Sequence, residues 1–257
     1  MADQFDLKDK VALVTGGSRG LGLFIAEAFV RAGVRTYVSS RKADVCDAAA
    51  RELSQHGECV SLPCDLGASG GPAELAGMVA ERESKLDILI NNAGATWGAP
   101  LAEFPESGWD RVMDLNVKSV FFLTQKLAPL LAAAATAQDP ARVVNIGSVA
   151  GTKVGGTNYS YTTSKAAVQH LTRHLAVELA PQHITVNAIA PGPFETKMMA
   201  FALDDPASRE RIERSIPLGR VGGPDDISGV AAFLCSPSAA YITGAIIPLD
   251  GGSSVRG

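Results

Sequence analysis

Cysteine is scarce in this 257-residue chain: there are four, Cys46, Cys59, Cys64 and Cys235, and no two form a Cys-x-x-Cys pair. That spacing excludes a zinc ribbon or a thioredoxin-type redox motif and predicts reduced, structural thiols. Histidine is equally rare. The pair His170 and His174 has metal-ligand spacing but no glutamate in a His-Glu-x-x-His pattern and no evident third ligand, so packing or a subunit contact is expected instead of a metal. Charged residues make up only 19% and the formal net charge is −4. A basic face for nucleic acid or an anionic membrane is therefore not expected. Long apolar runs are missing as well. The softest stretch, 127–137, is mostly alanine and too short to cross a bilayer. The first ten residues carry acids where a secretory leader would be basic. The expectation is a soluble, cytoplasmic protein. No repeat, low-complexity tail or linker-like shift interrupts it, so residues 1–257 are read as one domain.

What is present is apolar and alternating. Hydrophobic residues form 46% of the chain, enough for one sizeable core. Short β-branched runs at 11–14, 34–39, 59–62, 87–90, 142–146, 184–189 and 244–249 read as strands. Between them, 21–32, 43–56, 73–84, 109–131, 161–179 and 224–234 read as helices, with 109–131 as one uninterrupted helix. Strands apolar throughout and separated by helices predict an α/β fold: a Rossmann-type, doubly wound, parallel seven-stranded sheet with helices on both faces. The segment 192–218 has neither rhythm. It carries Phe194, Met198, Met199 and Phe201 beyond the end of a strand, the place for a substrate-covering lid.

Thr15 to Gly22 follows the first strand and opens the first helix, with Gly16, Gly20 and Gly22 in Gly-x-x-x-Gly-x-Gly spacing. Glycines allow a tight turn and a close backbone approach to a pyrophosphate at a helix N-terminus. Gly16, Ser18, Arg19, Gly20, Leu21 and Gly22 are thus candidate cofactor contacts. The second strand ends Val38-Ser39-Ser40-Arg41-Lys42, without the acid that would bind a free ribose 2′-hydroxyl. Ser40 and Arg41, with Arg19, suit a 2′-phosphate instead, and the cofactor expected is NADP (NADPH).

Tyr161 and Lys165 are four apart on one helix and therefore share a face. Ser148 lies thirteen residues upstream, just past the fifth strand. Reduction of a ketone by hydride leaves an alkoxide that needs a proton, and a phenol with its ordinary pKa near 10 is a poor donor or acceptor at neutrality. An ammonium nearby corrects this, and a hydroxyl can stabilise the developing oxyanion. Tyr159 and Ser164 fall off the Tyr161–Lys165 face and read as scaffold or pocket rim. Trp97 reads equally as a substrate-mouth or a core residue.

Taken in order, Thr15 to Gly22, Asp65-Leu66, Asn91 to Gly94, Asn116, Ser148, Tyr161 to Lys165, and Pro191-Gly192 with Thr196 resemble the short-chain dehydrogenase/reductase family over essentially the whole chain. The resemblance implies that Asp65 contacts the adenine amino group and Leu66 lines its pocket. It implies that Asn92, Ala93 and Gly94 hold the fourth strand against the cofactor, that Asn116 binds a water relaying protons from Lys165, and that Pro191, Gly192 and Thr196 position the nicotinamide. It also implies a homotetramer built on the helices at 109–131 and 161–179. Within the family, Gly94 to Gly98 and Asp139 to Ser148 resemble bacterial 3-oxoacyl-[acyl-carrier-protein] reductases of the branch associated with rhamnolipid biosynthesis. The substrate that this implies is a 3-oxoacyl thioester, with an acyl carrier protein as possible partner. The usual docking cations of such reductases are missing at 132–138 and at Val177, leaving Arg142 and Arg173. A sugar or polyol dehydrogenase is the alternative, which the apolar 192–218 segment disfavours. A cofactor-binding regulatory protein that has lost chemistry would lack part of the Tyr161, Lys165 and Ser148 set, which is complete here.

Overall fold

The computed structural model describes residues 2–197 and 199–255; Met1, Met198, Arg256, Gly257 and the side chains of Ala2, Asp3 and Phe201 lie outside the described residues. Seven strands, β1 (Val11–Thr15), β2 (Arg35–Ser39), β3 (Cys59–Ser61), β4 (Ile88–Asn91), β5 (Ala141–Ile146), β6 (Ile184–Pro191) and β7 (Ile246–Leu249), form one sheet in the order β3-β2-β1-β4-β5-β6-β7. Every pairing is parallel. The strand order reverses between β1 and β4, which opens a crevice beyond their carboxyl ends.

Alternate residues supply the two faces. Ala12, Val14, Ile88, Ile90, Val144 and Ile189 pack with Ile25 and Phe29 of α1 (Gly20–Arg31), Cys46 and Leu53 of α2 (Ala43–Leu53) and Leu234 of the helix at Pro224–Cys235. Leu13, Leu89, Val143 and Val186 pack on the opposite side. Their partners are Leu75 and Val79 of α3 (Gly71–Ala80), Leu123 and Leu127 of the helix Ser119–Ala134, and Leu175 and Leu179 of the helix Tyr159–Leu179. Both faces are covered, which is why the central strands read as continuous apolar runs.

The expectation of one regular helix over 109–131 is corrected. The helical run is α4 (Glu106–Met113), a π-helical turn at Asp114–Lys118, then α5 (Ser119–Ala134). The extra residue in the wide turn re-aims Asn116, the kind of local distortion that marks functional positions. The whole run has the length and hydropathy of a membrane span, but Val112, Val120, Leu123, Leu127 and Leu131 are buried against the protein's own core.

Behind the crevice a polar ladder crosses the apolar layer. Asn91 donates to Asn145 (2.9 Å) and to Thr124 (3.1 Å), and Asn145 donates to Thr172 (2.9 Å). These buried amides sit opposite each other on β4 and β5 and fix that register, since a one-residue slip would leave them unpaired. Arg142 corrects another expectation. Its side chain is 1% exposed, held by Asp139 (3.2 Å) and the Ser236 carbonyl (3.1 Å), so it is unavailable to dock an acidic partner.

Residues 192–218 are less irregular than expected: they contain α7 (Ala200–Leu203) and α8 (Pro206–Ser215). A parallel bridge between Phe194 and Gly222 joins the entry of this segment to its exit. Phe194 is 3% exposed, and Met199 packs on Leu203, Ile216 and Val221 in a small core of the segment's own. Of the four apolar residues that argued against a polar substrate, Phe194 packs into the main core and Met199 into this small one; Met198 and the Phe201 side chain lie outside the described residues. The last two helices are α6 (Tyr159–Leu179) and α9 (Pro224–Cys235).

Candidate active site

The crevice is built first from the turn after β1. Gly16 and Gly20 both take left-handed backbone (φ +64° and +56°), a conformation costly for any residue with a Cβ. A Cβ at Gly22 would stand 2.3 Å from the Asn92 amide nitrogen and 2.4 Å from the Gly16 carbonyl. The turn is pinned to β4 by Thr15, whose hydroxyl donates to the Ile90 carbonyl (3.2 Å) and accepts from the Asn92 and Ala93 amides (3.0 Å each). Asn92 in turn donates to the Thr15 and Gly16 carbonyls (2.9 and 3.2 Å). Thr196, from the 192–218 segment, comes within 3.5 Å of where a Gly20 Cβ would be, so the segment begins over this loop.

At the end of β2 the Ser39 and Ser40 hydroxyls are buried without a hydrogen-bond partner, and neither Arg19 nor Arg41 forms an ion pair among the described residues. Two idle hydroxyls and two idle guanidinium groups fit a phosphorylated ribose there. The glycine cradle, with Arg19 at the head of α1 and Arg41 just past β2, is the structural ground for an NADP-type dinucleotide. Asp65 is exposed and accepts from the Gly67 amide (3.0 Å). Leu66 is 6% exposed and belongs to the core layer under β1, which leaves its backbone for any adenine contact.

The reacting groups converge beyond β5. Ser148 is extended and caps a short 3-10 turn, accepting from the Ala150 amide at 3.1 Å. That turn lies directly on α6: a Cβ at Gly151 would be 2.8 Å from the Gln169 amide nitrogen, and Gln169 donates to the Ser148 carbonyl at 2.7 Å. Tyr161 stands in the first turn of α6, with the Lys165 ammonium 5.7 Å from its ring centroid. Burial raises the Tyr161 pKa, and the Ser148 hydroxyl facing the phenol works against that rise. Lys165 is 6% exposed and donates to the Ile146 carbonyl at 2.7 Å. Burial brings its pKa down to about 8, which leaves it largely cationic at neutral pH.

Asn116 is turned inward by the π-helical turn. Its amide accepts from the Ala95 N–H (2.8 Å), donates to the Ala95 carbonyl (2.9 Å) and donates to Ser164 (2.9 Å), whose hydroxyl donates to the Tyr161 carbonyl (2.7 Å). The side chain therefore locks the segment after β4 to the tyrosine-bearing turn. Ser164 is a scaffold group as expected, but a more specific one. Gln169 escaped the sequence reading, although a buried polar residue one turn after Lys165, on its face, was the available signal. Tyr159 packs edge-on against Phe104. Trp97 lies against α4, where a Cβ at Gly108 would be 2.7 Å from its ring, and Arg111 stands 5.9 Å from its centroid.

All four cysteines are free and buried; burial pushes the Cys59 and Cys235 thiols up to about 12, so they are inert. His170 and His174 stack edge-on at 5.0 Å, and no cluster of three or more metal-ligating residues occurs among the described residues.

A family model described as enoyl-(acyl carrier protein) reductase matches residues 16–254. The rhamnolipids biosynthesis 3-oxoacyl-[acyl-carrier-protein] reductase of Pseudomonas aeruginosa is 47% identical over 253 residues, 98% of this chain and 99% of that protein. The 2-dehydro-3-deoxy-D-gluconate 5-dehydrogenase of Dickeya dadantii is 37% identical over 98% of each chain. Among solved structures, the Pseudomonas aeruginosa RhlG/NADP active-site complex superposes with a TM-score of 0.96 at 47% identity, covering 99% of this chain and 100% of that one. The chain belongs to the short-chain dehydrogenase/reductase family of oxidoreductases.

Proposed function

We infer that this short-chain dehydrogenase/reductase reduces a ketone to a secondary alcohol with NADPH, and that its substrate is a 3-oxoacyl thioester. The observation that carries the chemistry is the convergence of Ser148, Tyr161 and Lys165 beyond β5, with the left-handed glycine turn after β1. NADPH, when bound, supplies the hydride. The chain's own groups do the rest. Ser148 donates a hydrogen bond to the carbonyl oxygen and stabilises charge as it develops. Tyr161 delivers the proton from its Oη. Lys165 lowers the cost of the resulting phenolate, and Asn116, through its position in the wide turn, supports a water-linked proton path. Gly16, Ser18, Gly20, Leu21 and Gly22 hold the pyrophosphate, Ser40 and Arg41 the 2′-phosphate, and Pro191, Gly192 and Thr196 the nicotinamide end.

The thioester reading is supported by the name of the 47% identical Pseudomonas aeruginosa relative. The carrier protein itself is less supported, because Arg142 is buried and only Arg173 remains of the two cations. A sugar-acid dehydrogenase is the second reading. It is favoured by the Dickeya dadantii relative. A homotetramer in the cytoplasm is part of the proposal: Trp109, Phe121, Phe122 and Val177 leave apolar surface exposed on α4, α5 and α6. Light scattering showing a monomer would reject the tetramer.

The deciding experiment follows NADPH oxidation with 3-oxoacyl thioesters of several chain lengths, a matching enoyl thioester, simple ketones and keto-sugar acids, with NADH as control. Chain-length-dependent turnover of the 3-oxoacyl set supports the reading. Turnover confined to keto-sugar acids transfers it to the second.

A further inference from the structure

The last described residues do more than end β7. Leu249 accepts from the Gly192 amide (2.9 Å), and a Cβ at Gly192 would lie 2.7 Å from the Asp250 Cβ, so Asp250 packs on the residue that opens the 192–218 segment. Gly251 and Gly252 follow in left-handed backbone (φ +61° and +89°). Gly251 accepts from the Leu218 amide (3.1 Å), and Cβ atoms at the two glycines would stand 2.6 Å from Ile216 and 3.1 Å from Pro217. The tail thus grips the exit of the same segment. The Ser253 carbonyl accepts from the Lys153 ammonium, and Lys153 sits on the turn that follows Ser148, its amide bonded to the Val149 carbonyl (2.9 Å).

The Asp250 carboxylate gives this turn its shape. It accepts from the Gly252 amide (2.9 Å), the Ser253 hydroxyl (3.2 Å) and the Ser254 amide (2.6 Å). Burial raises its pKa, but hydrogen bonds from Ser254, Gly252 and Ser253 outweigh that effect and hold it below the ordinary carboxylate value.

We propose that Asp250 is a positioning residue whose tail turn clamps both ends of the 192–218 segment to the Ser148 turn through Lys153, so that the substrate cover and the oxyanion-stabilising serine are set together. The proposal rests on the reading of 192–218 as a substrate cover. Three elements far apart in sequence meet at one six-residue stretch, and each tie is made to backbone. Side-chain variation at the substrate mouth would leave the clamp intact. Alignment errors of an ångström at a reacting centre cost rate steeply, which is the reason to couple cover and serine.

The test uses Lys153→Met, Asp250→Ala and the double variant in the full-length protein. Lys153→Met keeps the fold safe because it changes an exposed side chain. The readouts are NADPH affinity, KM and kcat for the ketone substrate, the melting temperature, and the rate of tryptic cleavage in α8 at Arg211 with NADPH present. The clamp predicts unchanged NADPH affinity, a rise in ketone KM of about tenfold, faster cleavage in α8 at an unchanged melting temperature for Lys153→Met, and a double variant no worse than Asp250→Ala. Wild-type cleavage rates in both single variants, or strictly additive effects, would overturn it. Faster cleavage with an unchanged ketone KM would leave the clamp standing and instead remove the segment from substrate binding. The cleavage readout needs no substrate, so it decides the clamp even if every thioester fails.

Discussion

Replacing Lys165 by methionine should abolish turnover and at the same time stabilise the protein near neutral pH. The lysine is 6% exposed and its pKa falls from 10.5 to about 8 through burial. A group whose folded pKa lies below its unfolded value weakens the fold wherever it is charged. The penalty is complete below about pH 8 and disappears as pH rises to about 10.5, where the unfolded chain also loses the proton. At 1.36 kcal/mol per unit the penalty amounts to about 3 kcal/mol. The hydrogen bond to the Ile146 carbonyl (2.7 Å), lost in the variant, returns about 1 kcal/mol. Methionine fills a similar volume with no charge to bury, so the net gain is about 2 kcal/mol at pH 7, or about 4–8 °C in Tm for a chain of this size. Urea unfolding at pH 7 and at pH 9.5 measures it. The advantage should be clear at pH 7 and smaller at pH 9.5, while activity falls by orders of magnitude at both. A variant less stable than wild type at pH 7 would refute the claim that this ammonium is held in the site at a cost.

Three other outcomes follow from the geometry. Gly22→Ala places a Cβ 2.4 Å from the Gly16 carbonyl; a backbone collision of about 1–3 kcal/mol should weaken NADPH binding about tenfold or more by fluorescence titration, with little change in the far-UV spectrum. Arg142→Met removes a buried guanidinium whose Nε and Nη1 have no partner, so chemical unfolding should show equal or greater stability and kcat should not move. Asp226 is held down to about 2 by Arg220 and the Gly223 amide, and its pair is partly exposed. Asp226→Asn should therefore cost only about 1 kcal/mol at pH 7. A depressed carboxylate stabilises above its unfolded pKa near 4, so the cost should fade between about pH 4 and pH 2 in acid-titrated melts.

The sheet was legible because β1, β4, β5 and β6 are buried on both faces and betray themselves as apolar runs. The site was legible because glycines, a tyrosine and a lysine at fixed spacing have few other uses together. What escaped was whatever depends on a neighbour far away in sequence. The wide turn at Asp114–Lys118 has no breaking residue to announce it, and it exists because Asn116 reaches Ala95 and Ser164. Arg142 looked like a surface cation; its burial depends on Ser236, just past the end of α9, whose carbonyl accepts from it. Phe194 and Met199 looked like pocket lining, but Phe194 is drawn into the main core beside its bridge to Gly222 and Met199 into a small core with Leu203, Ile216 and Val221, partners that no local pattern announces.

The central claim is that Tyr161 is the proton donor of a ketone reduction, and Tyr161→Phe tests it most directly. The variant keeps the ring beside Lys165 and removes only the transferable proton. NADPH affinity by fluorescence should stay within about twofold of wild type, and kcat on the best ketone substrate should fall by about three orders of magnitude or more. Near-normal kcat with intact NADPH binding would contradict the account and take Tyr161 out of the mechanism.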